Sequence, residues 1–537
     1  MNDCQPHSCG PEDMPKNSTG AIKADTLVGR HQTASFAVAN GNEYSRSVSL
    51  SKTLAILALI FFCFSFVVAP HFDLLPTIEP YNESRILELL TLLLVTCCFF
   101  WNSSLRNSWF TLLGEIPTTS KLLMLAAVLL GLFSATRTLY PAFVFLEVSM
   151  FVLLFLAALC MAVCRRSLGM TFDRVMFCAI VVMSLPYLTG FLGHYLLALS
   201  GEVSFERDVL FGNFANVRFF NQMQGWTLAF VVLPVLFWAG RSPVAQWVCI
   251  IAAINWWMLL FISGGRGTLL SCLLAFPLTL FIYREQARTW FRWQVMTAMV
   301  GFAAYFFLIL ILPRVFSLDF QASQIGLLGR SFTSSSRRLE LWIDALEMVR
   351  SSPLLGVGPM HFAASPSVPF ANPHNALLQL AAEWGVPVVL IVLALFLWGV
   401  TRWLSHRRSV SSTEEQPELR VALFAALLTS ALYSLFDGVI VMPVSQLLLA
   451  LIIGWMLGVM PAGPDTSRPV SRIRTMVSGL LLAVVLIGVL RPVFSTVFCL
   501  EQLQADYIHA HPQATHLNPR FWQQGYLSGY PQPSPCR

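Results

Sequence analysis

The chain has 537 residues, of which 56% are hydrophobic and only 12% charged, with a mean hydropathy of +0.66. A soluble domain carries about twice that share of charge, so a water-soluble enzyme and a nucleic-acid binder are both excluded. The formal charge of +6 reports loop placement, not a nucleic-acid partner.

The apolar residues fall in blocks of roughly 16–25, the length at which a helix crosses a bilayer core; a β-barrel would show short alternating segments instead. Residues 1–52 are polar, lack apolar periodicity and are expected to be a mostly disordered cytoplasmic tail. Thirteen blocks follow, at 53–70, 86–101, 121–136, 141–164, 175–199, 225–240, 244–262, 267–283, 294–312, 376–401, 420–436, 442–460 and 476–498. They predict an all-α polytopic membrane protein with about 12–13 transmembrane helices, its core spanning 53–498. With the first segment cytoplasmic, every later cytoplasmic loop carries at least one cation, from Arg106 and Lys121 through Arg241 to Arg472 and Arg474.

That topology leaves three sizeable pieces outside: 201–224, 313–375 and a tail, 499–537. A structureless loop as long as 313–375 is uncommon and usually functional. Within it, Leu339, Trp342, Leu346 and Val349 recur at helical spacing, with Ser336 as N-cap and Pro353 as the stop, predicting a helix along the outer membrane surface. Cys63, Cys97, Cys98, Cys160, Cys164, Cys178, Cys249 and Cys272 lie in or beside apolar blocks and read as small hydrophobes. Cys499 and Cys536 could pair in an oxidising compartment. The histidines of 509–516 have no acidic or cysteine partner at helical spacing and read as an exposed tail.

Polar groups at membrane depth or at its edge are functional candidates. In the stretch 213–226, "NFANVRFFNQMQGW", Arg218, Asn221 and Gln222 stand among aromatics, a mixture that suits a sugar or headgroup site and equally an interfacial belt. In "FISGGRGTLL", Arg266 sits in a two-glycine turn between spans, where the backbone can approach an anion; a tight turn with a snorkelling arginine reads the same way. Arg337 and Arg338 open the surface helix, with Arg330 and Arg350 nearby. Arginine holds phosphate oxygens in fork geometry, and adjacent cations at a helix N-terminus oppose its dipole unless an anion is present. A solvated basic face touching lipid phosphates is the other reading. Last, His374 and Asn375 precede "ALLQLAAEWG", in which Gln379 and Glu383 share a helix face that Asn375 extends. A histidine there can take a proton from an attacking hydroxyl or amine, or merely cap the helix.

The segments "SPLLGVGPMHF" and "NPHNALLQLAAEWGVP" resemble the signature region of the O-antigen ligase and polymerase superfamily; "SGGRG" resembles its arginine turn, and "RFFNQMQGWTL" a loop of some members, including bacterial protein O-oligosaccharyltransferases. The resemblance implies a GT-C-type bundle with a long, partly helical periplasmic loop, in a bacterial inner membrane with the active site periplasmic. It implies an inverting, metal-independent glycosyltransferase without a cofactor, whose donor is a glycan on undecaprenyl diphosphate. Arg266 and one of Arg337 or Arg338 would hold the diphosphate, and His374 would activate or orient the acceptor. Gly265 stands where many members have serine. The acceptor would be lipid A-core, an exported protein such as pilin, or another glycan. A lipid-linked oligosaccharide transporter is the alternative of another class; it would show internal repeats and mid-span charge, of which the sequence has no clear sign.

Overall fold

The computed structural model describes residues 49–527, apart from 73, 76–77, 213, 317, 319–325, 328–336, 366–369, 407–416, 462–470 and 511–516. All regular structure among the described residues is helical. The elements are α1 (Ser49–His71), α2 (Pro80–Trp101), α3 (Ser103–Glu115), α4 (Thr118–Arg137), α5 (Pro141–Leu168), α6 (Met170–Leu199), α7 (Val217–Trp238), α8 (Pro243–Ser263), α9 (Arg266–Tyr283), α10 (Glu285–Val315), α11 (Arg338–Ser351), α12 (Ala376–Trp384), α13 (Val386–Ser405), α14 (Pro417–Tyr433), α15 (Pro443–Val459), α16 (Arg472–Phe494) and α17 (Leu500–Ala510). Among the described residues, eleven helices are long and apolar enough to cross a membrane: α1, α2, α4 to α10, α13 and α16. The expected blocks 420–436 and 442–460 fall on α14 and α15, which have 17 residues each. The chain is therefore a multi-pass membrane protein.

Hydrogen bonds sort the connections into two ends. At one end, Tyr140 N donates to His361, Ala376 N to the Ser434 carbonyl, and the Arg85 guanidinium to the Val441 carbonyl. At the other, Arg166 forks onto Glu115 at 2.7 and 2.8 Å, Trp403 donates to Tyr283, and Arg165 pairs with Asp173. These bonds put the starts of α2, α5, α12 and α15 and the end of α14 at one end, and the ends of α3, α5, α9 and α13 and the start of α6 at the other.

A chain in lipid must satisfy its backbone internally, and α7 shows how. Pro234 cannot donate, and the helix breaks into a short 3-10 turn at Leu228–Phe230. The carbonyls of Leu228 and Ala229 in this turn also accept from Gln294 and Trp290 of α10. Close packing elsewhere uses small residues: Gly454 and Gly458 of α15 lie against Ala158 and Arg165 of α5, with no room for a side chain.

Three expectations change. The block 376–401 is not one helix but two, split at Gly385, whose φ of 86° and contact with the Leu354 carbonyl exclude a Cβ. Residues 217–224, expected in an outer loop, form the buried first turns of α7. The packed face of α11 shares only part of the Leu339–Trp342–Leu346–Val349 stripe: Leu341 and Ala345 are buried against Phe362 and Ala382, and Val349 packs against them, while Leu339 and Leu346 are exposed. Apolar residues lie on both faces of this helix, so spacing alone places the face about a third of a turn away. Ser336, Arg330, residues 511–516 and Cys536 lie outside the described residues. Cys499 is disulfide-bonded, and the eight cysteines in apolar blocks are free.

Candidate active site

The site is built from three chain segments at one end of the bundle. The first is the turn between α8 and α9. Ser263, Gly264 and Gly265 lead into Arg266, the first residue of α9. Asn221 of α7 donates to Ser263 Oγ at 2.7 Å, and its side chain leaves no space for a Cβ on Gly265. The Asn221 carbonyl accepts from Thr268. The glycines are thus required by close approach of α7, and a serine at 265 would collide with Asn221. Arg266 Nη2 donates to the Leu327 carbonyl at 3.2 Å.

The second segment carries His374. The PLLGVG element crosses the C-terminal end of α12: Val357 N donates to the Ala382 carbonyl, Gly358 N to the Glu383 carbonyl, and Val386 N to the Pro353 carbonyl. Gly356 sits on the Glu383 carbonyl itself. From there the chain returns to Asn372, whose side chain accepts from His374 N at 3.0 Å. Trp342 of α11 donates to the Pro373 carbonyl at 3.1 Å, and Phe370 meets the imidazole edge to face. His374 itself has φ 52°, a left-handed conformation costly for a non-glycine residue. Backbone strain held by surrounding contacts is a feature of functional positions.

The third segment is the turn after α14. Asp437 is buried and accepts from Tyr433 OH at 2.9 Å, Gln222 at 3.1 Å and Gly438 N at 2.7 Å. Its Oδ1 lies 3.5 Å from His374 Nδ1. Burial would raise this carboxyl, but the close approach and charge of His374, the charge of Arg218 and the Gly438 amide outweigh it and bring it down to about 2. Asp437 is therefore a fixed anion, aimed at the ring of His374. Both ring nitrogens, Nδ1 and Nε2, are buried and make no hydrogen bond. The arginine turn joins the same cluster, because Gly267 lies against the ring of Tyr433.

The remaining sequence candidates divide. Arg337 is exposed and pairs with Glu340 at 2.9 Å. Arg338 lies one turn from Trp342, and its Nε is buried without a partner. Asn375 is the N-cap of α12, accepting from Leu378 N at 3.0 Å, a role worth about 1 kcal/mol. Gln379 donates to Glu383, and Glu383 accepts from Phe362 N and from Arg520. Gln222 orients Asp437, and Asn221 braces the arginine turn. Sequence reasoning missed Asp437, Tyr433 and Arg520. An aspartate in a turn between two apolar blocks is the one signal that points to the first. Among the described residues no group of three His, Cys, Asp or Glu side chains has the arrangement to hold a metal ion.

Residues 248–393, which contain Arg266, Arg338 and His374, match the O-antigen ligase (Wzy_C) family model, and this match supports membership of the O-antigen ligase and polymerase superfamily. No curated protein matches the chain.

Proposed function

We propose that this membrane protein, whose 248–393 segment carries the O-antigen ligase domain, is an inverting glycosyltransferase. It takes a glycan from undecaprenyl diphosphate at the periplasmic face of a bacterial inner membrane and passes it to a hydroxyl acceptor. The observation that carries the reading is the pairing of His374 with the buried Asp437 carboxylate, beside an arginine turn. Asp437 fixes the ring orientation and balances the positive charge that the ring gains. The acceptor O–H donates its proton to His374 Nε2 while its oxygen attacks the anomeric carbon. The bond from that carbon to the diphosphate oxygen breaks, and inversion follows from attack opposite the leaving group. Arg266 and Arg338 stabilise the departing diphosphate, as fork-shaped cations do for phosphate oxygens. Arg218, whose charge is felt at Asp437, faces the same region and contacts the sugar or diphosphate.

We take lipid A-core as the acceptor, with pilin or another glycan chain as the outcomes that would replace it. The test uses proteoliposomes of the full chain, a lipid-linked O-antigen donor, and lipid A-core or pilin added separately. Wild type forms one glycosylated product, and His374→Ala and Arg266→Ala form none. Donor movement across the bilayer without any transfer product would instead identify a transporter.

A further inference from the structure

The segment after α17 lies outside the family match, yet residues 520–522 and 524–527 are buried in the bundle. Arg520 is 2% exposed. Its Nη2 meets Glu147 of α5 at 2.9 and 3.0 Å and Glu383 of α12 at 2.6 Å. The backbone of the same segment is gripped from α2: Tyr81 OH donates to the Arg520 carbonyl at 2.5 Å, and Arg85 donates to the Arg520 and Phe521 carbonyls at 3.2 and 3.0 Å. Leu527 N donates to the Ala363 carbonyl, Gln523 N to Asn82, and Trp522 to Thr496. This is an arm with a specific seat.

Two lines run from the arm to the site. Through its side chain, Arg520 holds Glu383, which accepts from Phe362 N and from Gln379; both fix α12, the helix that His374 and its cap Asn375 introduce. Through its carbonyl, it receives the Arg85 guanidinium, which also donates at 2.6 Å to the Val441 carbonyl. Val441 N in turn bonds the Gly438 carbonyl, in the turn that holds Asp437. A single residue is thus tied to the supports of both halves of the His374–Asp437 pair.

We propose that Arg520 is a positioning residue for this site, and that the arm 517–527 sets the separation of His374 and Asp437 without touching substrate. The inference rests on the transferase reading above. Without the guanidinium, Glu147 and Glu383 lose the donor they share, and α12 shifts as they find other partners. A misplacement of about 1 Å at a reacting group costs up to about 10²-fold in rate.

The experiment uses the full chain in nanodiscs, with Arg520→Ala, Arg520→Lys and Arg520→Ala/Glu147→Gln compared with wild type. Two quantities are read: kcat and KM for glycan transfer, and the rate at which diethyl pyrocarbonate modifies His374. His406, at the opposite end of the bundle, serves as the internal reference. We expect Arg520→Ala to lower kcat by about tenfold or more with KM for the donor nearly unchanged. His374 should be modified several-fold faster, and His406 at the wild-type rate. Arg520→Lys should recover part of both, and removing Glu147's charge should recover folding but not full kcat. If Arg520→Ala does not fold, the same two quantities are read on the double variant. Wild-type kcat and wild-type His374 reactivity in a folded variant would overturn the proposal. Equal acceleration at His374 and His406 would also overturn it, because general loosening would then explain the loss. Faster modification of His374 alone, in a protein whose wild type transfers no glycan, would sustain the positioning role and sink the transferase reading.

Discussion

Two buried charge clusters flank α12, and they are built differently. In one, Arg520 meets Glu147 and Glu383 at 2.6–3.0 Å. In the other, His374 and Asp437 stand 3.5 Å apart, and neither ring nitrogen makes a hydrogen bond. A buried polar atom left without a partner costs about 1–3 kcal/mol, so it persists where a ligand satisfies it or where function requires it. The first cluster holds helices together through Arg520 Nη2, although its Nη1 is also buried without a partner. The second leaves both nitrogens of an imidazole unbonded, on a side chain that can exchange a proton with a substrate.

The sharpest way to break this comparison is His374→Ala. We expect transfer to fall by about 10²–10⁴-fold with thermal stability near the wild-type value, since the ring's one polar contact is the long approach to Asp437; unfolding of this variant would make the histidine a structural one. Next comes Arg338→Ala, measured as donor KM, with an expected rise of about tenfold, roughly the loss of one charge-assisted hydrogen bond. Gly385→Ala should lower stability by about 1–3 kcal/mol in chemical denaturation, because its backbone is left-handed and its Cβ position is occupied. Gly399→Ala, which meets nothing, should be neutral.

The clusters should also differ in the sign of their pH dependence. Burial, against the pull of Arg520, raises Glu383 from 4.5 to about 7. Its contribution to stability is full below about 4.5 and is lost as pH rises through about 7. Asp437 is lowered from 3.8 to about 2, so its contribution is present above 3.8 and is lost as pH falls through about 2. Melting temperatures across pH should therefore flatten near neutrality in Glu383→Gln and at the acid end in Asp437→Asn. The smallest effect is Arg337→Ala: an exposed pair with Glu340 is worth little, and donor KM should stay at the wild-type value.

The helical blocks were legible because bilayer thickness imposes length and composition on every span. So was the neighbourhood of His374, since local motifs place a histidine before its own helix. The break at Gly385 was hidden inside an unbroken apolar run; it is set by Leu354, distant in sequence. Asp437 was not recognised because its partner lies beyond three intervening helices, and period and spacing do not register such contacts. Arg520 was hidden further still. In a polar, aromatic stretch a lone arginine looks solvated, and only its burial between two glutamates shows otherwise. Asn375, Gln379 and Glu383 do share local geometry as read, but their side chains are engaged by the helix and its supports.

The arm's place in the chain has a consequence for biogenesis. A nascent polypeptide that has already inserted α12 carries the histidine motif but still lacks roughly the last quarter of its sequence, Arg520 included. Until that stretch is translated and docks between α2, α5 and α12, Glu147 and Glu383 have no shared cation. Maturation of the site is then a late event of synthesis, and a ribosome-stalled chain would stand in the membrane with its chemistry still unassembled.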